Sequence, residues 1–449
     1  MKWVFLLGLL ILTPALWLHL RSNPKHLPAA AFFLALLPFI DAKFNLSASP
    51  IAVPTWPGIA KGIDISLTDG IALAMLLATG RGARSPTSVK IALGIYVTAF
   101  FVSLIAAPIK IPSIMYGWQI IRVVIVYLAV VRATASQPRV PIALLTGLFV
   151  GVAIQAIVAV VGHAGGASQA GGWIGEQNLT GMVTHLVVYP AFALFLGGRH
   201  WKWAGFAVLC GLLVAFAGGS RATIGLMGAG LVATAIISSI HRMTGRKAAV
   251  AFAAIFTIMI ASPIFYAAIE RRSDKIREGS SEDRVLMQNA ASMMISDHPF
   301  GVGANRYVIV ANLAGYSARA GVAWNRDNRA APVHNTYYLT TGEMGWLGLV
   351  GLISIFGTFI ALGFSAIRKA AEGFDSDYLI GFTVSMLMVT IHAYFEWITL
   401  LWVVEVIFAM NAGLFIALRD RVLRERSAPV AAGNWIPRPG TTTAASLST

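Results

Sequence analysis

Apolar residues run in long blocks along most of the chain, separated by short polar connections, several of them basic. The blocks lie near 3–20, 28–41, 63–80, 89–108, 115–132, 138–162, 179–197, 201–218, 221–240, 248–269, 337–365, 378–397 and 399–418. A hydrocarbon layer is spanned by about 17–25 such residues. Backbone amides find no water there, so the blocks predict helices rather than open strands. Those at 28–41 and 63–80 are short or interrupted, which sets the expected count at about 12–13 transmembrane helices.

The polar connections divide into two kinds. RGARSPTSVK (81–90), RHWK (199–202), HRMTGRK (241–247), AIRKAAEGFDSD (366–377) and the tail from Arg419 are short and basic, and they fall on one side if the spans alternate. Short basic connections mark the cytoplasmic side. The other side receives 42–62, 163–178 and 270–335. The last holds nine Lys and Arg, but long loops translocate regardless of charge. Thirteen spans put the N-terminus outside; twelve put both termini inside. The first run has a short basic start and no clear small-x-small cleavage site, so it is expected to be a retained helix.

The expected organisation is an all-α polytopic membrane protein: a transmembrane bundle over 1–269, a periplasmic loop domain over 270–335, C-terminal spans over 336–418 and a cytoplasmic tail over 419–449. Within the loop domain, SSEDRVLMQNAASMMI predicts a helix with Ser281 as N-cap. The rest, through NRDNRAAPVHN, lacks periodicity and reads as a loop over the membrane face. The final PGTTTAASLST reads as disordered tail.

Composition agrees. Of 449 residues 57% are hydrophobic and 12% charged, against about 25% charged in soluble domains; mean hydropathy is +0.73. The net charge of +15 serves orientation first and gives no reason to expect nucleic acid as a partner. The single cysteine, Cys210, excludes an internal disulfide and a cysteine metal site.

Four polar clusters fall on the side of the long connections. GGWIGEQNLTGM places Glu176, Gln177 and Asn178 at the mouth of a span. GGSRAT brings free backbone N–H groups, a positive helix end and the Arg221 guanidinium together, a ready phosphate site; the alternative is an arginine snorkelling to headgroups. The predicted loop helix carries Arg284, for which a salt-bridged surface arginine is the alternative. VHNTYYLTTGEMGWLGL opens a span with His334 and Asn335 and carries Glu343 further in. A histidine of ordinary pKa near 6.5 is mostly neutral at pH 7 and, beside a wet cleft, takes a proton from a hydroxyl; the alternative is a capping histidine.

Arg122, in YGWQIIRVVIVYL with Gln119 on the same face, lies inside a span, where charge is costly and usually functional. It either binds an anion or pairs with Glu396 or Glu405. His163, His185 and His298 match no zinc spacing. DSD at 375–377 resembles a metal-binding DxD but sits in a basic, cytoplasmic connection, where a solvated turn is expected. GVG at 301–303 follows no strand, so a nucleotide loop is not indicated.

Taken together the clusters resemble the O-antigen ligase and polymerase superfamily of bacterial inner-membrane glycosyltransferases. EQNLTGM is similar to the family's Pro-Asn-x-x-Ala stretch, with Gln177 where proline is usual. GGSRAT resembles its Ser-Arg helix start, RVLMQNAASMMISDHPFGVGANRY its Arg-containing helix and Pro-x-Gly-x-Gly turn, and HNTYYLTTGEMGWLGL its His-Asn-x-x-Leu and Glu-x-Gly signature. The resemblance covers roughly residues 170–350; the N-terminal spans agree only in hydropathy.

It implies transfer of a glycan from undecaprenyl diphosphate to an acceptor hydroxyl on the periplasmic face. The acceptor is lipid A–core in ligases and another lipid-linked glycan in polymerases. By the same resemblance, Arg221 and Arg284 bind the diphosphate, with Arg122 as a further candidate from its buried charge; His334 activates the acceptor, and Asn178, Asn335 and Glu343 shape the site. No cofactor or metal is expected, since two arginines and a helix end supply the positive charge a departing diphosphate needs. A lipid-linked oligosaccharide transporter is the rival class, but it predicts two matching halves with interrupted helices, and no such repeat is visible. A purely structural assembly protein would make the clustering a coincidence.

Overall fold

The computed structural model of the chain describes residues 2–80, 82–167, 169–253 and 279–427, with the side chains of all but 279–281, 326 and 327. Ten of the described helices are long and apolar enough to cross a membrane: Lys2–Ser22, Thr87–Ala106, Ile111–Ser136, Val140–Ala164, Gln177–Leu196, Trp201–Gly218, Arg221–His241, Thr336–Ile367, Phe374–Phe395 and Trp402–Ser427. The chain is an all-α polytopic membrane protein; the described residues add a single two-stranded antiparallel ribbon, Ser47–Ala48 with Ile65–Ser66.

The three remaining apolar blocks have different fates. The run at 28–41 becomes Leu27–Leu36, a 3-10 turn at Leu37–Phe39 and a short helix at Asp41–Phe44. Pro38 stands at the break, where it lacks an N–H and crowds the preceding carbonyls. The run at 63–80 becomes Leu67–Ala78, started by a reciprocal cap between Ser66 and Asp69. Twelve residues rise about 18 Å, short of a hydrocarbon layer of about 30 Å. The run at 248–269 lies outside the described residues beyond 253, as does the tail beyond 427.

Gln177–Leu196 occupies the middle of the bundle, packed against Trp201–Gly218, Phe374–Phe395 and Arg221–His241, and is buried almost throughout. Lys2–Ser22 packs chiefly on Leu67–Ala78 and turns Val4, Leu7, Leu10 and Ile11 outward. Close approach is bought with small residues. Leu27–Leu36 lies on Val140–Ala164 at Gly147, where a Cβ would stand 2.3 Å from the Phe32 carbonyl oxygen.

The segment after residue 279 is more ordered than its sequence pattern suggests. The predicted helix runs from Gly279 to Asp297; the Ser281 side chain lies outside the described ones. It is followed by Tyr307–Leu313, Tyr316–Arg319 and Arg326–Arg329, helices of four to seven residues that are too short to imprint a period. They close over a small core that includes Met287, Ala291, Met294, Tyr307, Val308 and Val333. Asn305, left-handed at φ 64°, clasps the earlier polar segment. Its amide donates to the Ala60 and Pro112 carbonyls at 2.7 and 3.0 Å and accepts from the Ala60 N–H at 3.0 Å.

Thr336–Ile367 is two helices joined at Gly345, whose φ of 69° interrupts the spiral. Into that interruption fits HPFGVG: Val302 N–H donates to the Gly342 carbonyl, Gly303 N–H to that of Glu343, and Trp346 N–H to that of Pro299. Asn335 caps the first half, its side-chain oxygen accepting from the N–H groups of Tyr337 at 2.9 Å and Tyr338 at 3.1 Å.

Candidate functional site

At the end of the bundle that carries the 279–335 segment, three separate stretches converge on Glu396. Its Oε1 accepts from Arg284 Nη2 at 2.8 Å and from Asn178 Nδ2 at 3.0 Å. Its Oε2 lies 2.9 Å from His334 Nδ1. Arg284 Nη1 donates to the neighbouring Phe395 carbonyl at 3.1 Å. The Glu396 carboxylate is 3% exposed, whereas Arg284 is 38% and His334 27% exposed. A buried anion thus sits behind a cation and an imidazole that both reach solvent.

Each member is held by its element. Asn178 is in the first turn of Gln177–Leu196. Arg284 projects from Gly279–Asp297. His334 stands just ahead of the Asn335 cap. Glu396 ends Phe374–Phe395 in extended conformation, and its carbonyl accepts from Thr336 Oγ1 at 2.7 Å and Thr336 N–H at 3.1 Å. That seam ties the histidine segment to the glutamate segment through the backbone.

Electrostatics follow the geometry. Burial by itself raises the Glu396 pKa; the hydrogen bond from His334 and the charges of His334, Arg284 and His392 outweigh it and hold the carboxyl below its usual value. Glu176, the residue before Gln177, is shifted the other way, by burial first and then by the negative charge of Glu396, with His334 and Arg284 opposing.

Arg221 opens Arg221–His241 behind the Ser220 cap and is exposed. Gly218 lies against Gln177 and Gly181 against Thr223, so this helix start flanks that of Asn178. Among the described contacts none joins the Arg221 side chain to Arg284, Glu396 or His334.

Two expected residues belong elsewhere. Arg122 is buried and grips Asp69 Oδ2 through Nη2 at 2.8 Å and Nε at 2.9 Å, with Ser66 Oγ at 3.2 Å and Trp402 stacked at 4.6 Å. Its partner is neither Glu396 nor Glu405; Glu405 accepts instead from Gln119 at 2.8 Å and Tyr116 at 3.2 Å. A guanidinium neutralised this way has no charge to offer a diphosphate unless the pair breaks. Glu343 accepts the backbone N–H groups of Asn305 at 2.7 Å and Tyr307 at 2.9 Å, so it secures the Gly-Val-Gly turn. It sits nine residues from His334, about 13 Å along a helix, and does not orient the imidazole.

The remaining polar motifs resolve similarly. Asp375 pairs with Arg421. Asp377 is buried rather than solvated, 3.8 Å from Arg199. His163 contacts the Ala167 carbonyl, His185 is buried beside Tyr189 and His392, and His298 lies edge-on to Tyr316. Among the described residues no three His, Cys, Asp or Glu gather as a metal-binding group.

Glu396, which the sequence offers only as a possible partner of Arg122, is the further member of the cluster. Its signal was an acid at the end of an apolar run, where an ionisable residue is a functional candidate by default.

A family model described as O-antigen ligase matches residues 206–353, the stretch that holds Arg221, Arg284, His334, Asn335 and Glu343. No curated protein matches the chain. The family comprises glycosyltransferase-like enzymes of lipid-linked glycans, and it indicates an O-antigen ligase-like or polymerase function.

Proposed function

Since residues 206–353 match a family model described as O-antigen ligase, we propose that the protein transfers a glycan from undecaprenyl diphosphate to an acceptor hydroxyl. We place the reaction on the periplasmic face of a bacterial inner membrane, with lipid A–core as acceptor. The observation that carries this reading is the meeting of His334, Arg284 and Asn178 on Glu396 at the membrane end that bears the 279–335 segment.

A sugar diphosphate is already activated, so its departure needs charge stabilisation more than protonation. Arg284 supplies a guanidinium beside the histidine; Arg221 and its helix N-terminus supply a second cationic edge next to Asn178. His334 Nε2 takes the acceptor proton as the acceptor oxygen attacks the anomeric carbon. The bond from that carbon to the diphosphate oxygen breaks, and its electron pair leaves on undecaprenyl diphosphate. One displacement inverts the anomeric centre, and no metal is required.

The same donor chemistry serves a polymerase, and lipopolysaccharide from a deletion strain separates the two. Bare core with accumulated lipid-linked polymer is expected for the ligase. Core bearing a single repeat would reassign the protein as a polymerase, and an unchanged ladder would move it to another glycan pathway.

A further inference from the structure

The reaction just described needs a histidine with a bare ring nitrogen directed at the acceptor, and neutral imidazole exists in two tautomers. We propose that Glu396 is the positioning residue of this site: it fixes His334 as the Nδ1–H tautomer, leaving Nε2 bare, and stabilises the imidazolium formed when Nε2 takes the acceptor proton. This rests on the transfer reading above.

Valence fixes where the hydrogen sits. An ionised carboxylate only accepts hydrogen bonds, so a ring nitrogen 2.9 Å from Glu396 Oε2 must carry the hydrogen. The other oxygen is engaged by Arg284 and Asn178, which leaves Oε2 for the imidazole and fixes the carboxylate plane. The carboxyl is held ionised although buried, as this use demands. Its backbone is pinned to Thr336, two residues past the histidine, so acid and base move as one unit.

The same carboxylate that orients the base through Oε2 also holds one edge of Arg284 through Oε1. A guanidinium has five N–H donors, and two of the Arg284 donors are used, one on Glu396 and one on the Phe395 carbonyl. The remainder are not committed to those partners and suit a diphosphate. Glu396 therefore sets the spacing between the proton acceptor and the anion clamp. When the acceptor proton reaches Nε2, the new positive charge lies directly against the carboxylate; once product leaves, the exposed imidazole returns the proton to water. Arg284, Glu176 and His392 are the other charged or titratable groups around the pair.

Glu396→Gln tests this. An amide has one accepting and one donating end; whichever way it turns, it either donates to Nδ1 and reverses the tautomer or turns its NH2 on Arg284. In transfer assays on purified full-length protein, E396Q is expected to lower kcat by about 10²–10⁴-fold with donor KM within about threefold. The acid limb of its pH profile moves to lower pH, because the imidazolium has lost its counter-charge. Glu396→Asp, which keeps the carboxylate, recovers part of the rate. Wild-type kcat in E396Q, with H334A inactive, overturns this inference and leaves the transfer reading intact; an active H334A overturns the reading itself. Should E396Q fail to fold, 15N NMR of the His334 ring in the wild-type protein decides: the Nδ1–H tautomer is expected, and Nε2–H contradicts it.

Discussion

His334 and Glu396 stand 62 residues apart in the chain, yet the ring Nδ1 of one lies 2.9 Å from the carboxylate of the other. The contact joins the start of one membrane helix to the end of the next. In our reading it makes a half-buried histidine into a general base.

The first consequence is kinetic. Replacing Arg284 by alanine removes charge-assisted hydrogen bonds, each worth about 1.5–3 kcal/mol. Donor KM should rise about tenfold to a hundredfold, less at high salt because Arg284 is part-exposed. Lysine should restore the charge but not the two-pronged geometry, and so only part of the affinity. Steady-state assays over a range of donor concentrations measure this; unchanged KM in R284A would remove Arg284 from the donor site.

Arg122→Ala should behave differently. Breaking a buried pair by deleting one partner costs about 3–5 kcal/mol, and here it strands Asp69 and takes the guanidinium off the Trp402 ring. Thermal unfolding in detergent should drop sharply while donor KM in the surviving protein stays near wild type. A selective rise in KM would return Arg122 to the diphosphate site.

Glu343→Ala should likewise act on folding. It leaves two buried N–H groups, those of Asn305 and Tyr307, without an acceptor, at about 1–3 kcal/mol each. The expected readout is faster proteolysis within 298–307 and an unchanged acid limb in the pH profile. A shifted limb would tie Glu343 to the histidine after all.

The pH dependence of stability has a definite sign. The folded-state pKa of Glu396 is depressed below its ordinary 4.5. Its stabilisation is therefore complete above pH 4.5 and lost as pH falls through the lowered value. Melting curves of wild type and E396Q should run parallel from neutral pH down to about 5 and converge below it. Convergence on raising the pH instead would contradict the paired, ionised state.

Much of this could be read from the chain. The ten long spans follow from block length, and Asn178, Arg284 and His334 declared themselves as polar residues at the ends or outside of apolar runs. What failed is what depends on long-range pairing. Asp69, the partner of Arg122, lies 53 residues away in a short or interrupted apolar run whose pattern gives no sign of that pairing. Glu396 follows a histidine-containing helix with no motif around it, and only the fold brings it to residue 334. Glu343 shares a short signature with His334 and so reads as a residue that shapes the same site; the helix between them separates the two.

The most direct test uses the purified protein with an undecaprenyl diphosphate glycan and an acceptor lipid, comparing wild type and His334→Ala in the presence of EDTA. Wild type should join the glycan with inverted anomeric configuration, EDTA should leave its rate unchanged, and the variant should be slower by about 10²–10⁴-fold. Wild-type turnover by the variant, retained configuration, or loss of activity with EDTA would contradict this mechanism.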